Sequence, residues 1–198
     1  MKPRAASDSD IDAATETIRL AFCNDPVWSI ALSRPDGRDD HLMPYWQRLI
    51  EGAMRYGTVF VADNADAVSV WLPPGGTELS DEQHADQRAL AIEALGQQRA
   101  AALFELWDRF ESTHPDTEPH YYLSLLGTHP RAVGHGVGQA LLGSDLSRFD
   151  ADGVPSFLES SNPANDYRYE RAGFKRIGVF RTVLDDAPVS QFWRPVGG

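Results

Sequence analysis

The sequence predicts an α/β fold with a mixed central sheet, and three observations carry the prediction. Residues 58–62 and 67–72 are β-rich runs that bracket Asp63-Asn64-Ala65-Asp66, the pattern of a hairpin. The run His120-Tyr-Tyr-Leu-Ser-Leu-Leu-Gly-Thr is too apolar and aromatic for anything but a central strand. Between and after these strands lie segments with helical spacing, and the order β, loop, α, β, α, β, β denotes a mixed sheet.

Taken in order, a short strand is expected near residues 3–6. Ser7-Asp8-Ser9-Asp10 then offers helix caps, and Ile11, Ile18 and Phe22 continue a first helix to about Asn24. Asn24-Asp25-Pro26 breaks it, and Trp28, Ile30 and Leu32 give way to the loop Ser33-Arg34-Pro35-Asp36-Gly37. A second helix is expected over residues 40–56, followed by the hairpin, which Pro73-Pro74-Gly75-Gly76 ends. Ser80 and Gln83 form a capping box, with Ala85, Ala89, Ile92 and Leu95 on one helical face. Leu103, Leu106, Trp107 and Phe110 line a second face beyond Gly96, so residues 78–114 read as a helical pair inserted between strands. After the central strand, Val137, Leu141, Leu142, Leu146 and Phe149 mark a buried helical face that Asp152-Gly153 stops. A strand over residues 154–159, a short helix from Asn162-Pro163 to Gly173, and strands over 174–184 and 189–193 complete the sheet.

Bulk properties narrow the function. The 198 residues suit one domain spanning 1–198, with 42% hydrophobic and 24% charged residues, ordinary values for a folded globular protein. A net charge of -11 repels a long polyanion, so nucleic acid is not an expected partner. The single Cys23 forms no internal disulfide, and no Cys/His spacing suggests a metal. No export signal or membrane-spanning run is visible, and a cytoplasmic location is expected by default. The sequence gives no indication of oligomeric state.

The stretch Thr128-His-Pro-Arg-Ala-Val-Gly-His-Gly-Val-Gly-Gln-Ala-Leu-Leu142 concentrates three glycines before a helix. Glycines at that junction let an anion approach the unpaired N–H groups of the first helical turn, although a purely structural turn uses the same residues. The pattern GxxxxGK[ST] fails for want of its lysine and hydroxyl. GxGxxG fails as well, because its last position falls on Gln139 or Leu141.

The loop instead resembles the [QR]-x-x-G-x-[GA] pyrophosphate loop of the GNAT family of acyl-CoA transferases. Gly136 and Gly138 fill the small positions, and Val133 departs from the Gln or Arg position. The segment Asn162-Pro-Ala-Asn-Asp-Tyr-Arg-Tyr-Glu-Arg-Ala-Gly-Phe174 is similar to the family's N-x-x-N-x-x-x-Y-E-R-x-G-F, one strand later as that fold requires. Residues 59–63, the strand ending in Val70-Trp71, and Phe157-Leu-Glu-Ser-Ser-Asn-Pro further resemble the puromycin acetyltransferase-like branch, as does the helical pair.

The resemblance implies a GNAT fold with a mostly antiparallel sheet, acetyl-CoA as co-substrate, and direct attack by a primary amine. It implies that Leu126, Gly127 or Thr128 polarises the thioester carbonyl, and that Gly134, His135, Gly136, Val137, Gly138 and Gln139 cradle the pyrophosphate. Tyr169 is the candidate acid for the leaving thiolate. Asn165, four residues earlier on the same helical face, is a candidate for the pantetheine arm. Glu159 is the candidate base, ahead of His120 and His129, and Trp28 and Trp71 are expected to wall an apolar acceptor pocket. The expected acceptor is a small-molecule amine; a CoA-binding sensor without turnover and a protein-amine acetyltransferase are the alternatives.

Overall fold

The computed structural model describes residues 2–198. Seven strands form one sheet in the order β1-β2-β3-β4-β5-β7-β6. They are β1 (Arg4–Ala5), β2 (Val59–Ala62), β3 (Ala67–Leu72), β4 (Tyr121–Thr128), β5 (Ser156–Ser160), β6 (Lys175–Arg181) and β7 (Pro188–Arg194). Every neighbouring pair is antiparallel except β4 and β5, which run parallel.

The helices are α1 (Ile11–Phe22), α2 (Trp28–Ala31), α3 (Leu42–Met54), α4 (Asp81–Leu95), α5 (Gln97–Thr113), α6 (Val137–Asp152) and α7 (Asp166–Arg171). Two apolar layers result. Val59, Val61, Val68 and Val70 pack with residues of α1 to α5, whereas Phe60, Ala62, Ala67 and Trp71 pack with Leu141, Leu142, Leu146 and Phe149 of α6. Strands β2 and β3 are buried on both faces, so the two-residue period is expressed in which layer each side chain joins.

Gly96, at φ 79°, separates α4 from α5 and makes the inserted helical pair two distinct rods. The Ser80 and Gln83 capping box is present at the start of α4. One element is added to those expected, and one expectation is corrected. Residues 28–31 form a helical turn because buried Asp25 accepts hydrogen bonds from the N–H groups of Val27 and Trp28. The expected long strand over 174–184 ends at Arg181, where Asp185 and Asp186 adopt left-handed backbone and turn the chain into β7.

One irregularity shapes the centre of the sheet. Trp71 pairs with Leu123 and Val70 with Leu125, which leaves Ser124 as an extra residue, a β-bulge in β4. Leu123 and Leu125 would share a face in a regular strand, yet here they join opposite layers.

Candidate functional site

The parallel pairing of β4 with β5 covers only Tyr121 to Leu123 and Ser156 to Leu158. Beyond Leu123, β4 pairs with β3 alone, and beyond Leu158, β5 pairs with β7 alone. The strands therefore splay, and backbone polar groups in residues 124–128 face a gap with no strand to receive them. A buried edge of this kind calls for a ligand that hydrogen-bonds to backbone. A narrow cavity of about 80 Å³ occupies the gap, lined by Leu126, Glu159, Asn165 and Tyr169 among others.

Gly127 permits this packing, since a Cβ there would lie 2.8 Å from Ile18 Cδ1 of α1. Thr128 meets the glycine loop, where a Cβ on Gly138 would stand 2.4 Å from Thr128 Oγ1. Gly134 and Gly136 adopt φ of 86° and 75°, conformations that side chains disfavour. The three glycines thus have two separate reasons, turn geometry at the first two and close helix-to-strand approach at the third.

The N–H groups of Gly134, Gly136, Val137, Gly138 and Gln139 donate to no acceptor among the described residues, and the first helical bond is that of Ala140 to the Gly136 carbonyl. No acidic residue sits in the first turn of α6. Together with the positive end of a 16-residue helix, these donors form an anion cradle. Val133 is 60% exposed and adds no polar group to it. His135 belongs to the same loop, and its N–H is taken by the Ala132 carbonyl, so it is not one of the free backbone donors.

Tyr169 lies on α7, packed against Phe174 and Phe192, and its hydroxyl makes no hydrogen bond among the described residues. Burial, followed by the nearby charges of Asp25 and Asp166, pushes its phenol up to about 12. Glu159 points to the other side of the gap. Its carboxylate accepts from the Tyr122 hydroxyl at 2.9 Å and from Gln191 Nε2 at 3.4 Å, and burial pushes it up to about 8. Asn165 lines the narrow cavity with Tyr169, as the i, i+4 spacing predicts.

A second cavity, of about 1130 Å³, adjoins the first and shares Ser124, Glu159 and Ser161 with it. Trp28, Tyr45, Trp46, Trp107 and Phe110 supply its aromatic wall, so α2, α3 and the inserted α5 all contribute. Trp28 stacks on Phe110 with ring centroids 5.8 Å apart. Trp71 does not belong here. It is fully buried beneath α6, edge-on to Phe149, and its indole N–H donates to Asp145, so the expectation that it walls the acceptor pocket is corrected. Adjacent residues of a strand face opposite ways, and Val70, not Trp71, faces the layer around this cavity.

His120 lines the large cavity, its Nδ1 2.7 Å from the Glu118 carbonyl and its Nε2 2.9 Å from His114 Nε2. The Glu118 carbonyl requires a proton on His120 Nδ1, and one proton lies between the two Nε2 atoms. Burial and the neighbouring His120 hold His114 down at about 4. His129 accepts from the Arg131 N–H and lines neither cavity.

Four site residues escaped the sequence reading. Asp25 also accepts from Ser161 Oγ at 2.7 Å, tying the turn that carries Trp28 to the end of β5. Tyr122 holds Glu159, Ser124 forms the bulge, and Glu78 accepts from the Ser124 hydroxyl. An aspartate two and three residues before the N–H groups it caps was the available signal for Asp25. Nothing local marked the other three.

No family model matches the chain. Solved structures do. A histone acetyltransferase HPA2 and related acetyltransferase from Corynebacterium glutamicum aligns with a TM-score of 0.71 at 25% identity, over 100% of this chain and 98% of that one. The arylalkylamine N-acetyltransferase 2 of Aedes aegypti gives 0.69 at 13% identity, over 99% of each chain. A Drosophila melanogaster polyamine N-acetyltransferase, which forms N-acetylagmatine, gives 0.64 at 17% identity over 98% and 99%. The fold is thus the GNAT acetyltransferase fold that the two motifs imply.

Proposed function

We propose that this chain transfers an acetyl group from acetyl-CoA to a primary amine of a small molecule, by direct attack in a ternary complex. The observation that carries the reading is the pair of cavities joined at the splay, a narrow slot between β4 and β5 and a roomy chamber lined in part by the inserted helices. A thioester reaching through the slot meets an amine from the chamber at Glu159, and proximity of that kind supplies a large part of the rate.

Acetyl-CoA fits the residues present. The free N–H groups of residues 134 and 136–139 would hold the pyrophosphate, the unpaired edge of residues 126–128 and Asn165 the pantetheine, and an N–H of that edge the thioester oxygen. The cofactor supplies the activated acyl group and a thiolate leaving group. Glu159, at about 8, is a stronger base than an ordinary carboxylate and takes the ammonium proton, with Tyr122 and Gln191 fixing its orientation.

Tyr169 reaches the gap from the opposite layer. A phenol at about 12 is a weaker acid than a thiol of ordinary pKa about 8.5, so complete proton transfer to sulfur is uphill against the solvated thiolate. In the dry slot the thiolate is itself less stable, and a hydrogen bond from the phenol as the carbon–sulfur bond lengthens lowers the barrier.

The likeness of residues 59–71 and 157–163 to the puromycin acetyltransferase-like branch places puromycin among the acceptors to test. A wide groove for a protein substrate is disfavoured by the covering helices. The test is free-thiol release from acetyl-CoA with puromycin, agmatine, arylalkylamines and a short peptide, with Tyr169→Phe alongside. Amine-dependent release that falls about 10²-fold or more in the variant, at unchanged acetyl-CoA affinity, is expected. Saturable acetyl-CoA binding with no release for any amine would favour a sensor and overturn the proposal.

A further inference from the structure

The large chamber carries more chemistry than a generic amine site needs. Its lining includes no Lys or Arg, and its only basic side chains are His84, His114 and His120, yet it includes the carboxylates of Glu78, Asp81, Glu111, Asp116, Glu118 and Glu159. None of these six takes part in any of the eleven ion pairs among the described residues. Four of them are exposed at the rim, where water screens them. Glu78 and Glu159 are the two that are not exposed, and they sit on either side of the bulged Ser124 and Tyr122 at the inner end.

Glu78 reaches that position because of a feature elsewhere in the sequence. The strap of residues 73–80 runs from the end of β3 to α4 and crosses helix α3 at Gly52. A Cβ at Gly52 would lie 1.9 Å from the Glu78 carbonyl oxygen, so only glycine lets the strap come this close. Arg55, the residue that follows α3, donates to Thr77, anchoring the strap one residue away. The bulge then turns Ser124 to donate its hydroxyl to the Glu78 carboxylate. Three separate devices thus hold one carboxylate over the junction of the two cavities. Burial pushes that carboxylate above its usual range, a cost that a cation bound beside it would relieve.

Between this inner end and the rim, the surfaces are aromatic: Trp28, Tyr45, Trp46, Trp107 and Phe110. Aromatic faces accept both apolar bodies and cations, and they offer no positive group to a carboxylate or phosphate on the ligand. We propose that the chamber takes a primary ammonium carried on an apolar, aromatic-sized body, and that Glu78 holds the ammonium beside Glu159. The assignment rests on the transferase reading for which nitrogen is acetylated, but the binding itself does not. Glu78 is a specificity-determining residue in this arrangement, and Gly52 positions it.

The experiment is calorimetric titration of the CoA-loaded protein with 2-phenylethylamine, with 2-phenylethanol and phenylacetate as neutral and anionic counterparts. The amine is expected to bind, the alcohol to bind about tenfold or more weakly, and the acid not to bind. Glu78→Gln is expected to weaken the amine about tenfold or more with CoA affinity unchanged, which also reports that the variant is folded. Gly52→Ala is expected to weaken the amine in the same direction by displacing the strap.

No binding of the amine, equal binding of the alcohol, or an unchanged affinity in Glu78→Gln would overturn the inference. Binding of spermidine without binding of 2-phenylethylamine would overturn its apolar-body half. Thiol release separates the two proposals. Glu78-dependent amine binding without release leaves this inference standing and removes the transferase. Release whose KM for the amine is unchanged in Glu78→Gln does the reverse.

Discussion

Among single residues, Glu159 has the clearest functional consequence, because its environment makes it a base near neutral pH. Burial is the largest cause, Glu78 adds repulsion, and the Tyr122 and Gln191 hydrogen bonds only partly offset them. The carboxyl is therefore protonated below about 8 and ionised above it. The proposed reaction needs the ionised form, so kcat/KM for an amine acceptor is expected to rise with pH and level off past about 8. A pH–rate profile checks this, with Tyr122→Phe as a companion. Removing the hydrogen bond that stabilises the carboxylate moves the inflection to higher pH. An inflection in the ordinary carboxylate range would mean that another group takes the proton. Glu159 was legible in the sequence as a strand-end carboxylate next to a recognisable motif. Glu78 was not, because its role depends on Gly52, 26 positions away, and on a bulge that no periodicity announces.

At the level of elements, the junction of β4 with α6 is where backbone geometry and the proposed CoA binding coincide. Gly138 has unremarkable φ, so its role is close approach, and the obstacle to a side chain is one atom, Thr128 Oγ1 at 2.4 Å, with Thr128 Cβ at 3.8 Å. Gly138→Ala is therefore expected to shift the helix start, destabilise the fold by about 1–3 kcal/mol and weaken CoA binding. Thr128→Ala removes that one atom. The double variant is expected to recover most of both losses, measured by urea unfolding and CoA titration. No recovery would mean that the helix start meets some other obstacle. The contrast with Gly136 is useful, since there φ itself is positive and no partner variant relieves the strain. Elements of strong pattern were readable in advance: the hairpin, the inserted pair broken at Gly96, and α6 after its glycines. The face of β3 was not, since Ala67 to Leu72 is buried throughout and a strand with two apolar faces hides which residue points where. That is why Trp71 and Trp28, equivalent as sequence symbols, ended in different layers.

Across the whole molecule, the buried carboxylates couple the site to stability. Burial lifts Glu159 to about 8 and Asp145, which accepts from Ser69 and Trp71 beneath α6, to about 6. A carboxyl raised in the folded state binds more protons there than in the unfolded chain, so each makes stability fall as pH rises between its unfolded and folded values. His114, held at about 4 against an ordinary 6.5, acts in the opposite sense and is complete by about 6.5. Below that point the contributions of Asp145 and His114 oppose each other. Between about 6.5 and 8 both are spent, and Glu159 continues to act, at most about 1.4 kcal/mol per pH unit for one group. Free energies of unfolding from urea melts across that interval are therefore expected to decline, and the decline is expected to be shallower in Glu159→Gln. The variant keeps the size and the hydrogen-bonding reach of the side chain while removing the titration, so a smaller slope reports the proton itself. An identical slope would mean that Glu159 ionises normally in the folded protein, which would also remove the physical ground for its activity as the base. A site that destabilises its own fold near neutral pH is the expected cost of keeping two carboxylates under an aromatic roof, and a bound ammonium would reduce it.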